Sequence, residues 1–122
     1  MPDLTKSKFR TEGATITATA SGASAQVLYT VPNNFSAIVR FLHLSNNNTA
    51  TKKQYIQFYH FDDTSYHYIV NGLAMSGNSV YDVCQGAIFN LHQKDKIVLY
   101  TETAGSLDAV ISVEEYYDPV RG

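Results

Sequence analysis

Short runs of β-branched and aromatic residues, separated by Gly, Asn, Asp and Ser, follow one another along the whole chain. Residues 14–20, for example, alternate small apolar side chains with threonines, and Ser21-Gly22 ends the run. Alternation of this kind predicts strands with two different faces, and the interruptions predict tight turns. No window shows helical periodicity over more than about two turns. The pattern therefore predicts an all-β protein.

Eight or nine strands are predicted, with turn signals at intervals of about ten residues. The segments are residues 14–20, 26–31, 37–45, 53–61, 66–70, 79–83, 87–91, 96–101 and 107–116. Regular spacing of this kind is typical of a sandwich or a barrel. We predict a single antiparallel β-sandwich that spans residues 12–116.

The two longest central strands flank an Asn-rich segment at residues 46–50. We predict that residues 37–45 and 53–61 pair with each other in a long hairpin around that segment. In the register that we favour, His43 lies near Tyr55.

The two ends of the chain differ from its body. Residues 1–11 are polar, and Lys6, Lys8 and Arg10 are three of the nine basic residues. We predict that this segment is an N-terminal arm that docks on an acidic partner surface. Residues 117–122 continue past the last predicted strand and are expected to form a C-terminal tail.

The composition fits one globular domain of 122 residues, with 44% hydrophobic and 16% charged residues. A net charge of -2 gives no general attraction to nucleic acid or anionic lipid, so neither is an expected partner. Cys84 is the single cysteine, which excludes a disulfide within the chain. The sequence shows neither the apolar stretch of a signal peptide nor a run long enough for a membrane span. We therefore expect synthesis in a reducing cytoplasm, without secretion by a signal peptide.

Candidate metal and catalytic groups are scattered in the sequence. The histidines show no helical metal-binding pair, and we expect them to be ordinary side chains. They are His43, His60, His67 and His92. The flanks of Cys84 are typical of a strand end, which favours a partly buried, inert thiol.

Motifs for enzymatic chemistry are also missing from the sequence. Asp62-Asp63 is typical of a turn, and Glu114-Glu115 are strand neighbours that point to opposite faces. The seven glycines occur singly, and no nucleophile elbow or phosphate loop is present. We predict that the protein is not an enzyme and has no catalytic, cofactor-binding or metal-binding residues.

Tyrosine is the unusual feature of the composition, with nine tyrosines and no tryptophan. In the two central strands both faces carry bulky apolar residues, whereas a half-exposed strand should have one polar face. Either a loop of the same chain covers the second face, or another subunit does, since tyrosine is enriched in interface cores. A third alternative is a platform for sugar stacking. The candidate interface residues are Tyr55, Tyr59, Phe61, Tyr66 and Tyr68.

Several short motifs resemble a group of small structural proteins of tailed phages. They are Val-Leu-Tyr-Thr-Val-Pro at residues 27–32, Ala-Ile-Val-Arg at residues 37–40, Leu-Ser-Asn at residues 44–46, Asp-Lys-Ile at residues 95–97 and the final strand at residues 107–113. Lys94 stands where the group commonly has glycine. The resemblance covers residues 25–113.

The resemblance implies a jelly-roll or related sandwich that is built into the virion. It further implies a capsid decoration (cement) protein that binds the outer capsid lattice, with the major capsid protein as partner and a homotrimer as assembly. A tail, baseplate or fibre-associated protein and a carbohydrate-binding module for host attachment are the alternatives. The resemblance implies no catalytic residues.

Overall fold

Nine strands and one short 3-10 turn make up the regular structure in a computed structural model of the chain, which describes residues 3–119 and their side chains from residue 8 onward. The strands are β1 (Asp3–Ile16), β2 (Gln26–Thr30), β3 (Phe35–Asn46), β4 (Lys52–His60), β5 (Ser65–Met75), β6 (Val80–Asp82), β7 (Phe89–Leu91), β8 (Lys96–Thr101) and β9 (Leu107–Tyr117). The 3-10 turn is Gly22–Ser24.

The strands form two antiparallel sheets that pack face to face. The first sheet has the order β1-β9-β3-β6, and β7 also pairs with β3. The second sheet has the order β2-β8-β4-β5. When β6 and β7 are counted as one interrupted edge strand, this is the strand order of a jelly roll. The predicted all-β sandwich is confirmed.

A β-bulge in β3 explains why this strand looks apolar on both faces. Its register with β9 shifts between Val39 and Phe41, so Arg40 is an extra residue. Ala37 and Val39 are buried before the bulge, and Leu42 is buried after it. The inward positions thus change from odd to even numbers along the strand. The apolar residues therefore lie mostly on one face, although they occupy odd-numbered positions before Arg40 and even-numbered positions after it.

The predicted hairpin of residues 37–45 and 53–61 is wrong. β3 lies in the first sheet, β4 lies in the second, and the hairpin partner of β4 is β5. His43 is accordingly opposite Asp82 and Val110 rather than near Tyr55. The chain changes sheets between β3 and β4 instead of reversing within one sheet.

Asn46 holds the corner at which the chain changes sheets. Its side chain is only 1% exposed, and its Nδ2 donates to the carbonyl oxygens of Ala50 (3.1 Å), Met75 (2.9 Å) and Ser76 (3.2 Å). Its Oδ1 accepts the backbone N–H of Asn48 at 2.9 Å. One amide group thus ties the end of β3 to the end of β5 in the opposite sheet.

The prediction of an N-terminal arm over residues 1–11 is wrong for the part that the structure describes. These residues form the first half of β1, which pairs with β9. The charged side chains of this half hide the strand pattern in the sequence. The predicted tail, residues 117–122, also begins inside the sandwich. Tyr117 is opposite Phe35, and the N–H of Asp118 donates to the carbonyl oxygen of Asn34, in the turn before β3. The remaining parts of both segments lie outside the described residues.

The Asn71-Gly72 pair predicts a turn that is followed by a loop at residues 73–77, but residues 71–75 all lie within β5. Gly72 has no partner in the register with β4 and has a φ of 74°, so its left-handed backbone forms a bulge. Ile69 is likewise skipped in that register. The hairpin signal therefore marks a bulge rather than a strand end.

Replacement of Asn46 by Ala should lower the free energy of unfolding by about 3 kcal/mol, because several backbone groups of the corner lose a buried partner. Asn47→Ala, which changes an exposed neighbour, should alter it by less than about 0.5 kcal/mol. Chemical denaturation of both variants measures the difference. Equal effects would show that the Asn46 amide does not hold the corner.

Lys94 has a φ of 67°, which is the left-handed backbone that glycine adopts without strain. We expect Lys94→Gly to raise the free energy of unfolding by roughly 0.5 kcal/mol, since relief of strain exceeds the loss of the Lys94 contact with Phe61. Lys96→Gly, within β8, should lower it by about 1 kcal/mol. Thermal melting checks the opposite signs, and a loss of stability in both variants would contradict the strain argument.

Candidate functional site

The outer face of the second sheet carries a cluster of tyrosines, which we call the tyrosine face. Its members are Tyr55, Tyr59, Tyr66, Tyr68 and Tyr100. Cross-strand pairing brings them together, because side chains directly opposite each other on neighbouring strands share a face. Tyr55 is opposite Tyr100, and Tyr59 is opposite Tyr66.

The rings of the tyrosine face contact one another closely. Tyr55 and Tyr100 stack with ring centroids 4.3 Å apart and planes 4° from parallel, while Tyr59 and Tyr66 are 4.8 Å apart. The hydroxyl oxygens of Tyr68 and Tyr100 are 2.5 Å apart and share a hydrogen bond. Burial, followed by this hydrogen bond, raises the pKa of Tyr100 above its ordinary value. The hydroxyl of Tyr100 therefore stays protonated at neutral pH and offers hydrogen bonding rather than negative charge.

Two lysines lie at one end of the tyrosine face. Lys96 Nζ is 5.4 Å from the ring centre of Tyr59, and Lys94 Nζ is 4.9 Å from that of Phe61. Both distances are within the range of cation–π attraction. This end of the face thus combines aromatic area with positive charge.

The chain itself covers one part of the outer face of the second sheet. The N–H of Gly22 in the 3-10 turn donates to Gln57 Oε1 at 2.9 Å, and Gln57 and Val98 are both buried. Toward β5 the same face is open, because Tyr68 is 45% exposed. A loop of the same chain therefore covers this face beside β8, whereas the part beside β5 remains available to a partner.

The predicted interface residues Tyr55, Tyr59, Tyr66 and Tyr68 come together on this face, and Phe61 follows directly after β4. Their role in an interface stays a prediction.

The predicted docking residues Lys8 and Arg10 are engaged within the domain. Lys8 Nζ is 3.8 Å and Arg10 Nε is 3.6 Å from Oε1 of Glu115, whose side chain is fully buried. The side chains of Lys8 and Arg10 are about half exposed, and their positive charges compensate the negative charge of the buried Glu115 carboxylate. The side chain of Lys6 lies outside the described residues. Docking by these residues stays a prediction, and it would have to compete with Glu115.

A buried polar pair, Tyr29 and Glu115, joins the two sheets. The hydroxyl of Tyr29 in β2 donates to the carboxylate of Glu115 in β9. Burial, followed by this hydrogen bond, strongly raises the pKa of Tyr29, so its hydroxyl keeps its proton. The burial of Glu115 could have been predicted from the alternation of the last strand, because Glu115 shares the face of Ile111 and Val113.

Two further titratable groups, Cys84 and Asp95, have surroundings that fit a structural role. Burial, which is the largest cause, raises the pKa of the half-buried Cys84 thiol, which agrees with an inert cysteine. The carboxylate of Asp95 accepts the N–H of Phe61 and of His92, each at 3.0 Å, and burial raises its pKa. Among the described side chains, those of residues 8–119, no three His, Cys, Asp or Glu are grouped as a metal site would require. None of the helical structure in that range has the length and apolarity to cross a bilayer.

A second exposed apolar area lies on the outer face of the first sheet, and the sequence reasoning missed it. Phe41 stacks on His43 with ring centroids 4.2 Å apart. Together with Val80, which is 68% exposed, and Val110, they line a shallow depression of about 230 Å³. The bulge at Arg40 turns Phe41 outward, so alternation along the sequence could not find this area.

Comparison with models of known families and with curated proteins finds no match for this chain. The resemblance to phage structural proteins stays a prediction.

We expect Tyr29→Phe to lower the free energy of unfolding by roughly 2 kcal/mol, because the buried Glu115 carboxylate loses its donor. Tyr81→Phe removes a hydroxyl that accepts a hydrogen bond from Gln85 at the surface, and it should cost less than about 0.5 kcal/mol. In a double-mutant cycle, the loss caused by Tyr29→Phe should shrink by at least about 1 kcal/mol in a Glu115→Leu background. Additive losses in urea denaturation would show that the pair does not couple the sheets.

Proposed function

We propose that this protein is a non-enzymatic structural protein of a tailed-phage virion, and specifically a capsid decoration protein. It binds the outer capsid lattice through the major capsid protein and stabilises the shell. The jelly-roll strand order and the phage-like motifs of residues 25–113 support this proposal. The resemblance implies three copies in the assembly unit.

The half-exposed tyrosine face is the observation that carries the proposal. Tyr68 is 45% exposed although its ring belongs to a packed aromatic cluster. Neighbouring rings hold it in place, so little side-chain freedom is lost when a partner covers it. Tyrosines that are fixed in this way supply apolar area and a hydrogen-bonding tip, the combination enriched at the centres of protein interfaces.

Stabilisation of a shell follows from binding alone. A protein that binds the assembled lattice, and not the separate subunits, shifts the equilibrium toward the lattice by mass action. This stabilisation requires only the side chains of a binding surface and no reactive groups. The described titratable groups fit a binding role, because buried ones such as Tyr29, Asp95 and Glu115 are held by partners within the domain.

Sugar binding is less well supported by the geometry. Stacking on a sugar needs a free aromatic face, whereas Tyr55 and Tyr100 stack on each other. A tail or fibre-associated role uses the same kind of surface and differs in the number of copies. Quantitative mass spectrometry of purified virions separates these possibilities. We expect a copy number comparable to that of the major capsid protein; a small fraction of it would indicate the tail, and absence from virions would overturn the proposal.

Tyr68→Ser should weaken binding to particles that lack this protein by roughly tenfold or more, whereas the melting temperature should fall by only a few degrees through loss of the hydrogen bond to Tyr100. Phe9→Ser is the matched control, because Phe9 is highly exposed on the outer face of the first sheet. Co-sedimentation measures binding, and thermal melting of the free protein measures stability. If Tyr68→Ser binds like the parent but melts far lower, the tyrosine face is part of the core and not of an interface.

A further inference from the structure

β5 is a long free edge of the second sheet. It has 11 residues, and within residues 3–119 it pairs with β4 alone. Its sequence, Ser-Tyr-His-Tyr-Ile-Val-Asn-Gly-Leu-Ala-Met, contains no Asp, Glu, Lys, Arg or Pro. Edge strands of monomeric proteins are normally protected by such residues, because unpaired N–H and C=O groups attract another strand.

The other edges of the sandwich are protected. β1 carries five charged residues in its first ten positions, and β6 and β7 have three residues each. β2 is short, and its edge is held by the chain that leads into it, since Gln26 Oε1 accepts the N–H of Thr17 and Gln26 Nε2 donates to Thr15. Among the described edges, β5 alone is both long and free of charged residues.

The side of the sandwich next to β5 is open to solvent. A cavity of about 340 Å³ lies there between the sheets, and its lining is almost entirely apolar. Phe58 and Ile69 line it from the second sheet, and Phe89 and Leu91 line it from the first. A strand added beside β5 would lie across the mouth of this cavity and remove the apolar lining from water.

We propose that β5 pairs in antiparallel fashion with β5 of a second copy of this chain. The two four-stranded sheets then join into one continuous sheet. A second copy suits this edge because identical strands without charged residues bring no like charges together. The same strand also supplies an exposed apolar side chain, Ile69, which lines the mouth of the cavity.

The bulges of β5 restrict the register. Residues 65–68 and 73–75 keep a regular register with β4, and the bulges at Ile69 and Gly72 lie between these runs. A two-fold axis near Val70 sets the first run of one copy against the second run of the other. This arrangement is isologous, as in the commonest class of homo-oligomer, and it places the two Ile69 side chains close to the axis.

The pairing yields an even number of copies, whereas the resemblance implies three, so the mass in solution decides between them. The inference does not rest on the virion proposal, because it concerns the isolated chain. Multi-angle light scattering of the full chain at increasing concentration should approach twice the chain mass of 13.5 kDa. A monomer throughout the concentration range, or a mass of three chains, would overturn the inference.

Ile69→Lys introduces a charge at the edge and should weaken dimerisation by at least about tenfold. Val80→Lys is the matched control, because it places the same charge on an exposed apolar residue of the other sheet and should leave the dimer intact. Ala74→Glu tests the same edge without touching the cavity, and Lys53 opposite it compensates the new charge within the chain. Thermal melting confirms that each variant is folded. A dimer that survives both β5 substitutions, or is lost only in Val80→Lys, would show that the copies meet elsewhere.

Discussion

The architecture depends on the hydrogen bonds of one buried amide, that of Asn46. Its Nδ2 binds carbonyl oxygens at the end of β5, so the chain leaving the first sheet is fixed at the corner of the second. Close packing reinforces this corner, because a Cβ on Gly77 would lie 2.1 Å from the carbonyl oxygen of Thr49. With the corner fixed, β4 pairs with β5 and β8, and the strand order of a jelly roll follows.

The candidate surfaces are consequences of this strand order. The sheet change places β4 beside β8, and only then do Tyr55 and Tyr100 stand opposite each other. The tyrosine face is therefore built from strands that are distant in sequence. At the end of the sandwich away from Asn46, Tyr29 and Glu115 tie the sheets together through a buried hydrogen bond. Lys8 and Arg10 extend over Glu115, so the first half of β1 is held by charge where the apolar core ends.

Local pattern predicted most strands well, but the predicted segment 14–20 overlaps β1 only in residues 14–16. Residues 96–101 are β8 as predicted, and the predicted segments 26–31 and 107–116 each differ from β2 and β9 by one terminal residue. The sheet change could not be predicted, because it rests on contacts of Asn46 with residues about thirty positions away. β1 was hidden by its charges, and the outward turn of Phe41 depends on a bulge. Four of the five candidate interface residues could be brought together from β-strand alternation, since β4 and β5 do form a hairpin. The partner of that surface is not encoded in the pattern of one chain.

The proposed function requires that the open side of the tyrosine face is covered when the protein is bound in a virion. Hydroxyl-radical footprinting reports the exposure of individual side chains, and it can compare the free protein with the protein on purified particles. We expect labelling of Tyr66 and Tyr68 to fall strongly on the particle, while labelling of the exposed Phe9 on the other sheet stays closer to that of the free protein. Equal labelling of Tyr68 in both states would contradict it.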